Sequence, residues 1–327
     1  MKVFTRDYKI EHINSPIYGE YYDGMKSCVL DIEATGLDPK TSKVVLMGLL
    51  TETESGVKVT QFLAENHYEE DKVLMRTMEF LHDNKIDYLV TFNGLRYDIP
   101  YINTRLEILN FEDRIKLYDF DLYRFLRKCS ILPSKMDSLR QSAVEDYFGI
   151  GTDRKDTITG KENIALFNEY SISGNSTVEK IILTHNREDV LQLYKLMKLC
   201  SKNEFADILD IDFHEAIARY GFPACNGRFS LRPTIKKSQL IISGDQNFDE
   251  FSAAYFPDVD SPVEATFQAN TKTLEIILPI NSYEKEYYAD LEKLDIKIEN
   301  PNEINNFLIL DSQSINLLSK QIIYSYI

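Results

Sequence analysis

The run VLDIEATGLDP, Val29 to Pro39, ends an apolar stretch by setting Asp31 and Glu33 on either side of one isoleucine. In a strand, successive side chains point to opposite faces, so Ile32 turns one way and both carboxylates turn the other. Two like charges this close repel. Water at an exposed strand end, a basic side chain, a shared proton or a metal ion must compensate them. Thr35 and Gly36 follow at once and suggest a tight turn at the strand's C-terminal end, where open α/β sheets place ligands. A D-x-E pair alone is unspecific, because an acid-rich chain produces such pairs by chance and a solvated strand end explains them as well.

Outward from this run, SCVLDIEAT, KVVLMGLLTE and VKVTQFLAE are separated by GLDPKTS and TESG, which predicts three consecutive antiparallel strands from about residue 27 to 65. EEDKVLMRTMEFLHDN carries Val73, Met75, Met78 and Leu81 at helical spacing, and IDYLVTFN follows as a buried strand. YDIPYINTRLEILN then reads as a helix, and DRIKLYDFDLY as a fifth strand running into helical DLYRFLRK. Three strands followed by alternating helices and strands give an α/β fold of ribonuclease-H-like type, a mixed five-stranded sheet with flanking helices. Residues 134–172 are helical in pattern but broken by GIGTDRKDTITGK, and 175–200 form the longest helix, capped by Asn175 or Ser176 with Glu179 in its first turn.

Beyond residue 200 strand-like runs are joined by polar, Asn-rich turns, while the tail SINLLSKQIIYSYI fits a helix or a last strand. With 327 residues the chain exceeds what one core usually holds. Two domains are expected, a ribonuclease-H-like one at 1–205 and a smaller β-rich accessory one at 206–327. The beginning, MKVFTRDYKIEHINS, has no apolar core of signal-peptide length and no later run is long enough to span a membrane, so a cytoplasmic location is expected. Cys28, Cys129, Cys200 and Cys225 form no CxxC pair, which argues against a zinc knuckle or disulfide framework and for reduced core thiols.

The formal charge is −15, divided as −6 over residues 1–200 and −9 over 201–327. Phosphate binding draws on Lys and Arg, so a nucleic-acid role needs a local basic track. Two stretches offer one: Ala216 to Gly244, with Arg219, Arg228, Arg232, Lys236 and Lys237 and no acid, and YRFLRK at 123–128. Either could also be an ordinary solvated face.

Asp98 closes VTFNGLRYD at a strand-to-helix junction, where it could equally be a helix cap ahead of Pro100. Asn93 and Tyr97 beside it are turn and packing residues, or hold a sugar and a base. On the long helix Val178, Ile182, His185, Asp189, Leu193, Leu196 and Cys200 follow steps of three and four and form one stripe. Asp189 on an apolar stripe requires a partner, either a cation or His185 one turn away. Asp31, Glu33, Asp98 and Asp189 with one histidine and no thiol suit Mg²⁺ or Mn²⁺ better than zinc, and four carboxylates can hold two such ions for a phosphoryl displacement.

DIEATGL, FNGLRYD and HNREDV, in this order, resemble the three motifs of the DEDD superfamily of 3′-to-5′ exonucleases (DnaQ-like), and residues from about 20 to 200 resemble its YprB-type ribonuclease-H-like domain. The resemblance implies that Asp31, Glu33, Asp98 and Asp189 hold two Mg²⁺ or Mn²⁺ ions. Thr35, Gly36 and Leu37 would border the terminal nucleotide, and Asn93 and Tyr97 would support the substrate. His185 departs from the pattern: the superfamily has His five residues before its last Asp or Tyr four before it, and this chain has His at the tyrosine spacing. A four-residue offset still keeps His185 and Asp189 on one helix face. The expected function is a metal-dependent 3′-to-5′ exonuclease acting on DNA or RNA. The alternatives are a catalytically weak nucleic-acid-binding scaffold of the same fold and an endonuclease of ribonuclease H type. The β-rich half resembles a region accompanying this domain in some relatives and implies a substrate-positioning or protein-contact role.

Overall fold

The computed structural model of the protein describes residues 1–13, 16–151, 154, 158, 160–200, 208–246, 261–268, 271–298 and 302–326. These fall into two compact units, Met1–Arg127 with Ile131–Ile208, and Lys128–Ser130 with Leu209–Ile327. The expected boundary at 205/206, and part of GIGTDRKDTITGK, lie outside the described residues. No described helix is long and apolar enough to cross a membrane.

The first unit runs β1 (Lys2–Tyr8), α1 (Pro16–Tyr22), β2 (Ser27–Ala34), β3 (Val44–Thr53), β4 (Gly56–Leu63), α2 (Glu70–Asp83), β5 (Tyr88–Thr91), α3 (Asp98–Ile108), β6 (Tyr118–Asp121), α4 (Leu122–Cys129), α5 (Leu132–Lys135), α6 (Gln141–Tyr147), α7 (Gly160–Ser173) and α8 (Ser176–Cys200). Its mixed sheet has the order β1-β4-β3-β2-β5-β6. The meander β2-β3-β4 is antiparallel, and β5 and β6 add parallel to β2. The expected mixed sheet with flanking helices is present, with one more strand than the sequence suggests, because β1 pairs antiparallel with β4. The alternation in KVFTRDY is too charged to announce a strand; it suits an edge, where charges discourage further pairing.

Alternation within the meander decides which helix covers which face. Phe62 packs its ring against Phe80 of α2, whereas its neighbour Gln61 hydrogen-bonds to α8 at Leu183 and Asn186. The two helices therefore cover opposite faces, which is why Val44 to Leu50 of β3 are all buried. The row Ile32, Met47 and Phe62 faces α2, and the row Asp31, Gly48 and Gln61 faces α8.

The loop after β2 is fastened by side chains. Thr35 Oγ1 accepts from the Lys43 amide and Asp38 Oδ1 from the Lys40 amide, both at 2.9 Å. Beneath the loop, Arg105 of α3 meets the buried Glu70 of α2 with two bonds of 2.8 and 2.6 Å, donates to the Pro39 carbonyl, and Glu70 accepts from the Val44 amide. This ion pair ties two helices to both ends of the turn.

In the second unit α9 (Phe213–Tyr220) is capped by Asp212, whose side chain accepts from His214 and Glu215 amides. It precedes β7 (Phe222–Ala224), β8 (Phe229–Lys236), β9 (Gln239–Gln246), β10 (Glu264–Gln268), β11 (Thr273–Pro279), β12 (Asn281–Tyr283), β13 (Glu286–Asp290), α10 (Leu291–Leu294), β14 (Glu303–Ile304), β15 (Phe307–Ile309) and α11 (Ser312–Tyr326). Two antiparallel sheets result, β10-β11-β9-β8-β7 and β12-β13-β15-β14, so this half is β-rich as read. The tail is the helix α11, whose Leu318, Ile322 and Ile323 are buried at helical spacing. Cys28 and Cys129 are buried free thiols, while Cys225 is only half-buried.

Replacing Arg105 by Ala strands the Glu70 carboxylate in the interior and is expected to reduce stability by about 3–5 kcal/mol. Chemical denaturation reads the change, and a loss below about 1 kcal/mol would mean that the pair behaves as an exposed one.

Candidate active site

Strands β2, β5 and β6 are parallel, so their carboxyl ends meet at one edge of the sheet, and three separate elements bring acids there. Asp31 and Glu33 come from the end of β2, Asp98 from the first residue of α3, and His185 with Asp189 from the middle of α8. Asp98 Oδ1 accepts from the Ile32 amide at 3.3 Å, so the third acid grips the backbone between the first two. The capping role open to Asp98 is not what the structure shows: Asp98 is the first residue of α3, the cap position is Tyr97 with no side-chain capping bond, and the Asp98 carboxylate reaches across to the neighbouring strand.

His185 Nε2 lies 3.6 Å from Glu33 Oε1 and 3.6 Å from Asp189 Oδ2. One ligand atom each of Glu33, His185 and Asp189 lies within 4.8 Å of the other two, a separation that one cation could bridge. Asp31 and Asp98 lie outside this trio. They are coupled to it electrostatically, since the Asp189, Glu33 and Asp98 charges all bear on Asp31.

Crowding shows in the acidities. Burial, and then the charges of Asp189, Glu33 and Asp98, hold the Asp31 carboxyl well above its ordinary range, against a bond from Asn186. Burial pushes Glu33 up to about 7, although His185 and Asn163 pull it down. Burial also pushes Asp98 up to about 7, opposed by its backbone amide bonds. Three carboxyls on one sheet edge that resist ionisation mark a place where cations are favoured.

The sequence named the acids and left their supports unseen. Asn186 donates from Nδ2 to Asp31 Oδ2 at 2.8 Å. Arg154 donates to Asp189 Oδ1 and, at 3.1 Å each, to both oxygens of the buried Glu145. Gln141 joins the same group, donating to Glu145 Oε1 and to the Asp189 carbonyl, both at 2.9 Å. The partner demanded by Asp189 is thus double, His185 one turn away and a guanidinium. Arg154 lies in a stretch with no periodicity, so nothing in the sequence points to it. Asp121, at the end of β6, accepts from the Asn93, Leu95 and Arg124 amides and shapes the loop into α3. The acid-x-acid spacing of Asp119 and Asp121 in YDFD was a signal for it.

The expected substrate-side residues divide. Leu37 is 81% exposed at the tip of the loop after β2. Thr35 is a turn clamp, and the Gly36 carbonyl accepts from the Tyr101 hydroxyl at 3.0 Å. A Cβ at Gly36 would fall 2.5 Å from Ser42 Oγ, so the serine hydroxyl would have to turn away. Asn93 adopts φ 70°, a left-handed turn conformation that asparagine tolerates. Tyr97 is half-buried, its ring 5.5 Å from that of Tyr101, and burial with the nearby acids raises its phenol to about 12. In the basic stretches Arg219 pairs with Glu215 at 3.1 Å and Arg232 with Asp245, so part of that charge is locally neutralised.

An acid-lined edge on such a sheet is the arrangement of a ribonuclease-H-like nuclease fold. The family model RNase_H_2, of the RNase_H superfamily, matches residues 28–201, more than half of the chain, and the chain belongs to that superfamily. Among solved structures it is similar to the family B DNA polymerase from the hyperthermophilic archaeon Pyrobaculum calidifontis, at 18% identity and a TM-score of 0.41, over 53% of this chain and 24% of the polymerase chain. No curated protein matches it.

The acidities carry a sign that can be measured. In the metal-free protein the native state keeps a proton on Glu33 up to a pH of about 7, whereas the unfolded chain releases it near roughly 4.3. Stability from this group is therefore full at low pH and is lost as pH rises through that window. Melting temperatures of the wild type should fall relative to Glu33→Gln between about pH 4 and 7, and parallel profiles would contradict the shift.

Proposed function

We propose that this protein is a metal-dependent nuclease that removes nucleotides from the 3′ end of DNA or RNA, with two Mg²⁺ or Mn²⁺ ions as cofactors. The observation that carries the reading is the convergence of Glu33, His185 and Asp189 within 4.8 Å of one another, with Asp31 and Asp98 beside them, in an RNase H superfamily chain. The donor set of Asp31, Glu33, Asp98 and Asp189 fits such ions, being carboxylate oxygen with no thiolate. Bound there, they supply positive charge to the attacking and leaving oxygens of the phosphodiester.

The chain's own groups have distinct parts in this reading. Asp31, Glu33, Asp98 and Asp189 hold the ions. His185, with Nε2 between Glu33 and Asp189, takes the proton of the attacking water. The exposed Leu37, the backbone at Thr35 and Gly36, and Asn93 with Tyr97 border the terminal nucleotide. The domain at 206–327 acts as an accessory module for substrate or protein contact.

A second reading, a nucleic-acid-binding scaffold without turnover, is favoured by one observation: the Arg154 guanidinium already bonds Asp189 Oδ1 and so compensates part of the charge that would otherwise call for a cation. A third, a ribonuclease H type endonuclease, shares the chemistry but needs no free end.

A gel assay separates the three, using 5′-labelled single-stranded DNA and RNA, matched duplexes and a circle, with Mn²⁺ or Mg²⁺. The expected result is a ladder shortening from the 3′ end, absent on the circle and reduced in Asp31→Asn by more than about 100-fold, the upper end of what loss of a mere supporting residue produces. Full cleavage by Asp31→Asn would overturn the metal reading. Cutting of the circle would select the endonuclease, and no cleavage of any substrate would select the scaffold.

A further inference from the structure

Asp31, Gly48 and Gln61 stand directly opposite one another on β2, β3 and β4, so one cross-strand row runs from the acid through a glycine to an amide. Most strand positions in such a row carry a side chain. Here the middle one has none, and the carboxamide of Asn186 from α8 occupies the space. A Cβ on Gly48 would fall 2.3 Å from Asn186 Oδ1, 2.7 Å from Nδ2 and 2.8 Å from Cγ. Non-bonded carbon cannot come that close, and Asn186 is a short side chain with no exposed surface and so nowhere to retreat.

Gln61 decides which way that carboxamide faces. Its Nε2 donates to the Leu183 carbonyl at 3.0 Å and to Asn186 Oδ1 at 2.7 Å. A primary amide nitrogen has two hydrogens, and both are used. Asn186 Oδ1 is therefore the acceptor, and Nδ2 turns to Asp31, 2.8 Å from Oδ2 and 3.3 Å from its carbonyl. The flipped carboxamide would set donor against donor at Gln61 and acceptor against acceptor at Asp31.

We propose that Asn186, admitted by Gly48 and oriented by Gln61, is a positioning residue that fixes Asp31 for cation binding by engaging Oδ2 and leaving Oδ1 to the ion. The choice of an amide follows from charge. A lysine or arginine at this place would compete with the cation, whereas asparagine donates a hydrogen bond and leaves the carboxylate its full charge. Partners of this kind, hydrogen-bonded to the groups that ligate a metal, hold the ligand's orientation. The inference rests on the metal-dependent reading above.

The test is Mn²⁺ affinity by titration calorimetry on the full chain, for the wild type, Asn186→Ala, Gly48→Ala, the double variant and Gln61→Met, each first shown to melt cooperatively. Asn186→Ala and Gly48→Ala should each weaken binding about 10- to 100-fold, and Gln61→Met should lose part of the same affinity because the amide is free to turn. The double variant should be no weaker than Asn186→Ala alone, since the added methyl then meets no carboxamide. Wild-type affinity in Asn186→Ala, or additive losses in the double variant, would overturn the inference. Should Asn186→Ala fail to fold, unchanged affinity in both Gly48→Ala and Gln61→Met would overturn it equally. A wild type that binds no Mn²⁺ would instead overturn the metal reading, and the inference with it.

Discussion

The structure of the first unit is organised around one unfavourable interaction, the repulsion between Asp31 and Glu33 on a single face of β2, which Asp98 and Asp189 make worse. Each acid is compensated differently. Asp31 accepts from a neutral amide, Asp98 from a backbone N–H, and Asp189 from a guanidinium, while Glu33 faces an imidazole. None of these removes the excess of negative charge. Burial still pushes Glu33 and Asp98 to about 7. On the proposed reading a divalent cation relieves the residual imbalance, which is tolerated because the surrounding fold is held by contacts that do not depend on the site.

Those contacts lie just behind the acids. The Glu70 and Arg105 pair fastens the loop carrying Leu37, and Asp121 gathers the amides of the turn that leads into Asp98. Both act on loops, which keep a defined shape only where side chains satisfy their backbone groups. Arg154 belongs to the opposite kind of support. It bonds a site acid itself, at Asp189 Oδ1, while Oδ2 lies 3.6 Å from His185 Nε2, and it holds the buried Glu145 at the same time.

Much of this edge was legible in the sequence, for physical reasons that can be named. The meander was readable because apolar alternation and turn residues coincide, and the α8 stripe because its steps of three and four carry His185 and Asp189 among apolar neighbours. Asp98 was readable from its junction. What escaped reading was whatever depends on a partner distant in the chain. The strand β1 has too many charges to resemble one until β4 is beside it. Asn186 lies off the stripe, next to His185, and its role exists only because Gly48 and Gln61 stand on other strands. Gly48, a glycine inside the apolar run VVLMGLL, was the one available hint, since glycine within a strand signals close approach of another group. Arg154 had no signal at all.

On the proposed reading the acid cluster holds protons only in place of divalent cations. Calorimetric titration of Mn²⁺ near neutral pH, in two buffers with different heats of ionisation, tests it most directly, because the difference in heat counts the protons expelled on binding. Binding with release of about one proton or more is expected, since Glu33 and Asp98 must ionise to ligate. Absence of binding, or heat that does not depend on the buffer, would contradict it.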